Sequence, residues 1–175
     1  MRAALAAFVI VAAVLSLVPR EAAADKLVVL VRHAEKEKGV DPVLTEAGQR
    51  RAEALAGHLA ETHIDYIITT QYRRTRLTAQ PLAQVLDLEP IVIRPGDDMK
   101  KHFRDVATAV NRLPEGVGIL VVGHSNTIPH IVTALGGPRL PDMDENDNST
   151  MFILHLSGDE TPRLVRAKFG EPGTP

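Results

Sequence analysis

The length, composition and charge of the chain predict an ordinary folded domain and exclude several kinds of site. The chain has 175 residues, 45% hydrophobic and 24% charged, which is enough for one domain with its own core. It contains no cysteine, which excludes disulfides, thiolate catalysis and cysteine-bound zinc. The formal net charge is −2, so there is no excess of basic residues and no nucleic-acid partner is expected.

The first 24 residues have the layout of a secretory signal peptide. Met1-Arg2 is a minimal positive start, residues 3–18 are almost all apolar, and Ala22-Ala23-Ala24 places small residues before Asp25. We therefore expect cleavage after residue 24, a periplasmic or secreted protein, and no stable membrane insertion once the segment is removed. An uncleaved membrane anchor is the alternative, although a spanning helix needs about 20 apolar residues and this run is shorter.

Short apolar runs alternate with helical patterns along the rest of the chain. The predicted strands are residues 27–31, 64–70, 91–93 and 117–122, followed by a closing pair at 151–156 and 163–167. This alternation predicts an α/β fold, a three-layer α/β/α sandwich with a mostly parallel central sheet. We expect residues 25–170 to form a single domain and residues 171–175 to be a frayed tail.

The segments between the strands carry helix signals. Thr45 is a candidate N-cap of the first helix, Asp97 or Asp98 of the third, and Thr127 begins the fourth. Pro81 lies inside the second helical pattern, where a proline predicts a kink.

Basic residues follow three of the predicted strands at the point where each strand ends. Arg32-His33 comes directly after the first strand, Arg74 shortly after the second, and His124 after the fourth. The carboxyl ends of parallel strands meet at one edge of the sheet, and open α/β folds bind their ligands at that edge. The sequence therefore predicts one pocket with two guanidinium and two imidazole groups.

Such a pocket suits a tetrahedral dianion and a phosphoryl-transfer reaction. Guanidinium groups bind phosphate oxygens bidentately, and histidine can act as a nucleophile that forms a covalent intermediate. The arginines Arg32 and Arg74 should disfavour the imidazolium form of His33, while His124 and the arginines stabilise the transferring charge. A metal would compete for the two histidines, but adjacent arginines repel cations, so neither a metal nor another cofactor is expected.

Four ordered motifs between Lys26 and Leu156 resemble those of the histidine phosphatase superfamily, which has the phosphoglycerate mutase-like fold. They are Arg32-His33-Ala34, Leu44-Thr45-Glu46-Ala47-Gly48, the segment 69–79 that contains Arg74, and Val122-Gly123-His124-Ser125. The resemblance implies that His33 is the phosphorylated nucleophile. It also implies that Arg32, Arg74 and His124 hold the phosphoryl group.

The chain departs from the mutases of that superfamily in three places. Ala34 replaces the usual glycine, the loop 35–44 is short, and the insertion that carries the mutases' glutamate acid is missing. These departures argue against mutase activity, and the short loops resemble the small bacterial phosphohistidine phosphatases. Asp98, with Asp97 next, is the candidate leaving-group acid, although helix capping explains the same residues.

The other polar residues are expected to have no catalytic role. Glu35 and Glu37 are expected to be solvated loop charges. The acidic loop 142–148 lacks the glycine and glutamate of a calcium loop, and we expect a solvated loop that can border the pocket. Three other histidines are expected at the surface or satisfied in the core: His102, His130 and His155.

The sequence thus predicts an exported, metal-independent phosphatase that works through a phosphohistidine. Its partner would be a phosphorylated small molecule or a phosphoprotein. A non-catalytic module that binds phosphate or a phosphorylated ligand is the alternative; it would keep the arginines without needing the nucleophile. The oligomeric state has no signal in the sequence.

Overall fold

The computed structural model of the protein describes residues 25–158 and 160–170, which form a six-stranded sheet flanked by four helices. The strands are β1 (Lys26–Arg32), β2 (Tyr66–Thr69), β3 (Ile91–Val92), β4 (Gly118–Gly123), β5 (Thr150–Leu156) and β6 (Arg163–Lys168). The helices are α1 (Glu46–Leu59), α2 (Arg73–Leu86), α3 (Met99–Arg112) and α4 (Ile128–Ala134).

The strand order is β3-β2-β4-β1-β5-β6, with β4 and β1 side by side in the middle. Strands β3, β2, β4 and β1 pair in parallel, whereas β5 and β6 continue the sheet antiparallel. The predicted α/β fold with a mostly parallel sheet is therefore confirmed.

The central strands are buried on both faces and contribute side chains to two separate hydrophobic cores. In β1, Val28 and Leu30 contribute to the core under α3 and α4, whereas Val29 and Val31 contribute to the core under α1 and α2. Alternation with a period of two sends successive side chains to opposite faces. A continuous apolar run is therefore what a strand covered by helices on both sides requires.

Both predicted caps have the expected geometry. The Thr45 hydroxyl accepts a hydrogen bond from Gly48 N at 3.0 Å, and the Asp98 carboxylate accepts one from Lys101 N at 3.0 Å. Thr127 precedes α4, but its hydroxyl accepts from His124 N at 2.9 Å instead of capping the helix. Pro81 lies within α2, which continues through it from residue 73 to residue 86.

The second predicted strand is shorter than expected, because only Tyr66–Thr69 pair with neighbours. The predicted signal peptide (residues 1–24) and frayed tail (residues 171–175) lie outside the described residues. Within the described part of the chain, none of the helices has the length and apolar character needed to cross a membrane.

Candidate active site

The register of the two central strands brings the two predicted catalytic histidines together. Arg32 of β1 pairs with Gly123 of β4, and each of these residues is followed directly by a histidine. His33 N donates to Gly123 O at 3.0 Å, and the rings of His33 and His124 are 5.4 Å apart between centroids. A Cβ on Gly123 would lie 2.8 Å from both Thr127 Oγ1 and Ile128 Cδ1, so a glycine is needed for this turn to pack.

The backbone around His33 is held by side chains, and this fixes the position of its ring. Asn148 Nδ2 donates to His33 O at 2.8 Å, and Thr78 Oγ1 accepts from Ala34 N at 2.9 Å. Ala34 does not have a positive φ, so alanine fits where the superfamily's motif has glycine.

The ring of His33 presents one nitrogen with a free lone pair. Its Nδ1 lies 2.8 Å from Ala34 O, and a carbonyl oxygen can only accept a hydrogen bond. Nδ1 therefore carries the proton, and the neutral ring keeps the lone pair on Nε2. This is the protonation state that a nucleophilic imidazole needs.

Both histidines are held in the neutral form by their surroundings. Burial lowers the pKa of His33 to about 4, and the positive charges of Arg32 and Arg74 act in the same direction. Burial also lowers the pKa of His124 to about 3, with Arg74 as the next cause. At neutral pH both rings are uncharged, and the positive charge of the pocket resides on its arginines.

Arg32 is buried at the end of β1 and has one donor without a partner. Its Nη1 donates to the backbone carbonyls of Asp144, at 3.0 Å, and Glu145, and its Nη2 to the Glu145 carboxylate at 3.2 Å. The Nε atom has no hydrogen-bond partner within the described residues, although the whole residue is only 4% exposed. A buried unpaired donor is costly, and such groups in native proteins often serve a ligand.

Arg74 lies in the first turn of α2 and approaches the same pocket from the side of β2. Its guanidinium lies 4.3 Å from the centroid of the Tyr72 ring, and that ring is 5.5 Å from the ring of His124 in an edge arrangement. Its Nε is also buried without a hydrogen-bond partner in the described chain. The aromatic ring holds the guanidinium in place by a cation–π contact without using its hydrogen-bond donors.

The structure brings four of the predicted site residues together, and the fifth, Asp98, lies at the start of α3. Arg32, His33, Arg74 and His124 meet at the carboxyl edge of the sheet, as the shifts of the two histidine pKa values also reflect. The carboxylate of Asp98 caps α3, and its described ion pair, at 3.8 Å, is with Arg104 of the same helix. Its assignment as the leaving-group acid stays a prediction.

The expectation that Glu35 is a solvated charge is wrong. Its carboxylate is 26% exposed and receives Arg51 Nε at 2.9 Å and Arg51 Nη2 at 2.7 Å. The backbone explains why, because α1 packs directly on this residue: a Cβ on Gly48 would lie 2.1 Å from Glu35 O. The motif that begins α1 therefore positions the segment that follows His33.

The acidic loop 142–148 borders the pocket, as expected. Its Glu145 contacts Arg32 and also accepts a hydrogen bond from the Ser125 hydroxyl at 2.8 Å. Asp147 is not a solvated charge, because its carboxylate accepts from Thr150 Oγ1 at 2.6 Å and pairs with Lys168 at 2.9 Å. The loop is therefore anchored through Asp147 and contacts the site through Glu145 and Asn148.

Of the three histidines expected at the surface or satisfied in the core, two follow the expectation and one does not. His130 and His155 are partly exposed and lie near Asp142 and Asp25, at 3.2 and 2.8 Å. His102 is buried in α3, and neither of its ring nitrogens has a hydrogen-bond partner within the described residues. The expectation that it would be exposed or satisfied is therefore wrong, and burial lowers its pKa.

The sequence does not predict the residues that support the pocket. Tyr72 lies in the segment 69–79 without a signal for its role, and Asn148 and Glu145 belong to no local pattern. Their contacts join segments more than 100 residues apart in the chain. Only the tertiary structure brings them to the pocket.

The assembled pocket is suited to a tetrahedral oxyanion. Two arginines with unpartnered Nε–H groups lie beside two neutral histidines, one of which has a free Nε2 lone pair. No group of three or more potential metal ligands occurs in the described part of the chain. The fold and site together define an α/β protein with an anion pocket and a candidate nucleophile.

Several known proteins resemble this chain in sequence or in fold. A sequence profile of the histidine phosphatase superfamily (branch 1) matches residues 28–96. Phosphoserine phosphatase 1 of Hydrogenobacter thermophilus is 39% identical over 71 residues, which is 36% of this chain and 34% of that protein. The chain thus spans about a third of the length of the curated relative it matches.

Solved structures share the fold at low sequence identity. A mycobacterial glucosyl-3-phosphoglycerate phosphatase has a TM-score of 0.62 at 18% identity, covering 82% of this chain and 98% of the other. The protein histidine phosphatase SixA in complex with tungstate also has a TM-score of 0.62 at 18% identity, covering 81% and 96%. The profile match and the fold confirm the predicted resemblance to the histidine phosphatase superfamily.

Proposed function

We propose that the protein is an exported, metal-independent phosphatase that hydrolyses phosphomonoesters through a phosphohistidine on His33. The observation that carries the proposal is the state of the His33 ring. Its Nδ1–H donates to Ala34 O, which leaves a nucleophilic Nε2 next to His124 and between two arginines with unpartnered donors. A pocket that only binds phosphate needs the arginines but not this nucleophile.

In the first step, the Nε2 lone pair of His33 attacks phosphorus in line with the leaving oxygen. The P–N bond forms as the P–O bond breaks, and the leaving oxygen takes a proton from an acid or from water. Asp98 remains the candidate for that acid. Arg32 and Arg74 stabilise the charge on the equatorial oxygens, and His124 donates a hydrogen bond from its neutral ring.

In the second step, water attacks the phosphohistidine. The P–N bond breaks, the electron pair returns to Nε2, and inorganic phosphate leaves after the water has lost its proton to the surrounding solvent. The same arginines stabilise the same equatorial oxygens, so one pocket serves both steps. The guanidinium groups supply the positive charge that a metal ion supplies in other phosphatases, and they would repel such an ion.

The short loops around the site are compatible with both small phosphomonoesters and phosphoproteins. Relatives with similar sequence or fold include a phosphoserine phosphatase and a protein histidine phosphatase, the latter with tungstate bound, and these support a phosphoryl substrate. The signal-like residues 1–24 support export to the periplasm or medium, where envelope phosphates become available substrates.

The proposal is tested by hydrolysis of an aryl phosphate by the wild type, His33→Ala and the control His58→Ala on the exposed face of α1. We expect loss of activity only in His33→Ala, because the other two retain the nucleophile. Equal rates for His33→Ala and wild type would contradict the mechanism. A wild type that binds phosphate but hydrolyses no phosphomonoester would favour the binding module.

A further inference from the structure

Each of the two pocket arginines has a carboxylate on its solvent side. Arg32 Nη2 lies 3.2 Å from Glu145 Oε2, and Arg74 Nη1 lies 3.8 Å from Asp41 Oδ1. The arginine side chains are 5% and 16% exposed, whereas those of Glu145 and Asp41 are 81% and 39% exposed. The two carboxylates therefore stand at the mouth of the pocket, between the guanidinium groups and the solvent.

Neutral hydrogen bonds fix the position of both carboxylates in a way that an amide could reproduce. Glu145 Oε1 accepts from the Ser125 hydroxyl at 2.8 Å, and Asp41 Oδ1 accepts from Arg73 N at 3.0 Å. Neither arrangement resembles the close, multiple contacts of a buried ion pair. The negative charge of these two residues is thus separable, by substitution, from their place in the structure.

The leaving group of a substrate has to pass this mouth. In-line attack by His33 Nε2 puts the leaving oxygen on the side of phosphorus opposite the imidazole ring of His33, a residue that is 4% exposed. The rest of the leaving group then extends outward, toward Glu145 and Asp41. Any charge on the leaving group therefore lies close to the negative charges of Glu145 and Asp41.

We propose that Glu145 and Asp41 select substrates by the charge of the leaving group. The selected class is phosphate monoesters with a cationic or uncharged leaving group, and esters that carry a carboxylate or a second phosphate are disfavoured. This inference rests on the proposed phosphatase function and names its substrate class.

The charge balance of the pocket supports this selection. The two guanidinium groups offset the two carboxylates, and both imidazoles are neutral at neutral pH. The phosphoryl group itself can draw on the buried Nε–H donors of the arginines. Lys36 also acts on His33, but it is exposed and water screens its charge. A further negative charge on the leaving group therefore lies mainly beside two carboxylates. Because these are exposed, water limits the effect to about two- to fivefold for each.

The test compares three alkyl phosphates: aminoethyl phosphate (cationic leaving group), hydroxyethyl phosphate (uncharged) and phosphoglycolate (carboxylate). The values of kcat/KM are measured for wild type, Glu145→Gln, Asp41→Asn and the double variant. Glu46→Gln is the control, because Glu46 pairs with Arg50 on the exposed side of α1.

We expect wild type to prefer the cationic substrate. Each single variant should raise the ratio of carboxylate to cationic substrate about two- to fivefold, and the double variant should raise it by about the product. Glu46→Gln should leave the ratio unchanged, and added salt should compress the preference of the wild type.

The same compounds bound to His33→Ala, which lacks the proposed nucleophile, give an independent ratio of dissociation constants by calorimetry. A ratio unchanged in the double variant, or a wild type that prefers the carboxylate compound, would overturn the inference. If aryl phosphate is still hydrolysed in a manner that depends on His33, only the charge selection fails. If no compound is turned over but calorimetry shows the preference, the phosphatase proposal fails and the charge selection stands.

Discussion

Two buried arginines near the start of the domain have opposite environments. Arg51 of α1 gives its Nε and Nη2 to Glu35 and its Nη1 to Phe169 O at 3.1 Å. Arg32, equally buried, gives its Nη groups to the loop 144–145 and keeps an Nε–H without a partner within the described chain. The first arginine joins α1 to the segment after β1 and to the end of β6, whereas the second faces the pocket.

The difference shows that an arginine side chain can be buried for a structural reason or for a functional one. A guanidinium that is fully paired contributes to holding the fold, and its loss leaves a partner charge unpaired. A guanidinium with an unsatisfied donor costs stability in the free protein and recovers it when an anion binds. The two sites therefore make opposite predictions for stability and for activity.

The largest expected effect is the loss of activity in Arg32→Met. Removing one preorganised donor from a transition-state clamp costs about 10²–10³ in kcat, and the remaining pocket supplies no substitute. Methionine removes the unsatisfied Nε–H donor but also removes the hydrogen bonds to the loop 144–145, so these effects oppose each other and the free energy of unfolding should change little. Aryl phosphate kinetics and urea unfolding measure both. Unchanged kcat, or a clear loss of stability, would assign Arg32 a structural role.

Arg51→Met is the matched substitution and should show the reverse. Breaking the half-buried pair with Glu35 should cost about 3–5 kcal/mol in the free energy of unfolding. The kcat of the folded protein should stay within a few-fold of wild type, because Arg51 contacts neither histidine. A large drop in kcat without a loss of stability would show that the two arginines are not separable in this way.

The next effect concerns the pH dependence of the two histidines. NMR titration of the ring protons of His33 and His124 should give midpoints near 4 and 3, because burial and the arginines oppose the charged forms. Between those values and the ordinary pKa near 6.5, the unfolded chain binds protons that the folded chain does not.

The free energy of unfolding should consequently fall as the pH drops through that window. The slope should be smaller in His124→Gln, which has no such proton to bind in either state. Midpoints near 6.5 for both rings would contradict the described pocket.

The smallest expected effect is that of Asp98→Asn. Asparagine caps helices as well as aspartate, so stability should change little, whereas Asp98→Ala should lose about 0.5–2 kcal/mol. Aryl phosphate hydrolysis should be unaffected in Asp98→Asn, since an aryl leaving group needs little acid. Loss confined to alkyl phosphates would establish Asp98 as the acid, and equal rates on both would leave it a helix cap.

The features that the sequence predicts are those encoded locally. The apolar run of β1, the Thr45 cap and the basic residues after three strands each follow from neighbouring residues. The parallel arrangement of those strands then places Arg32, His33, Arg74 and His124 at one edge. Arg32 and His124 are more than 90 positions apart in the chain, and local signals alone predict that they and the other two residues lie together.

The features that the sequence does not predict depend on distant contacts. Glu35 looks like a loop charge until Arg51 of α1 packs against it. Glu145 is one acidic residue among several until the loop before β5 folds over Arg32. His102 lies in a helical pattern that gives no sign of its unpartnered ring. Each depends on the position of another element, for which periodicity carries no information.

The most direct test of the proposed mechanism is detection of the phosphohistidine itself. The wild type is mixed with aryl phosphate and quenched in alkali, because the P–N bond is labile in acid, and mass spectrometry locates the phosphoryl group. We expect a phosphoryl group on His33, in a larger amount in His124→Gln, where breakdown is slower, and none in His33→Ala. Turnover that continues with no label on His33, or a label on another residue, would contradict it.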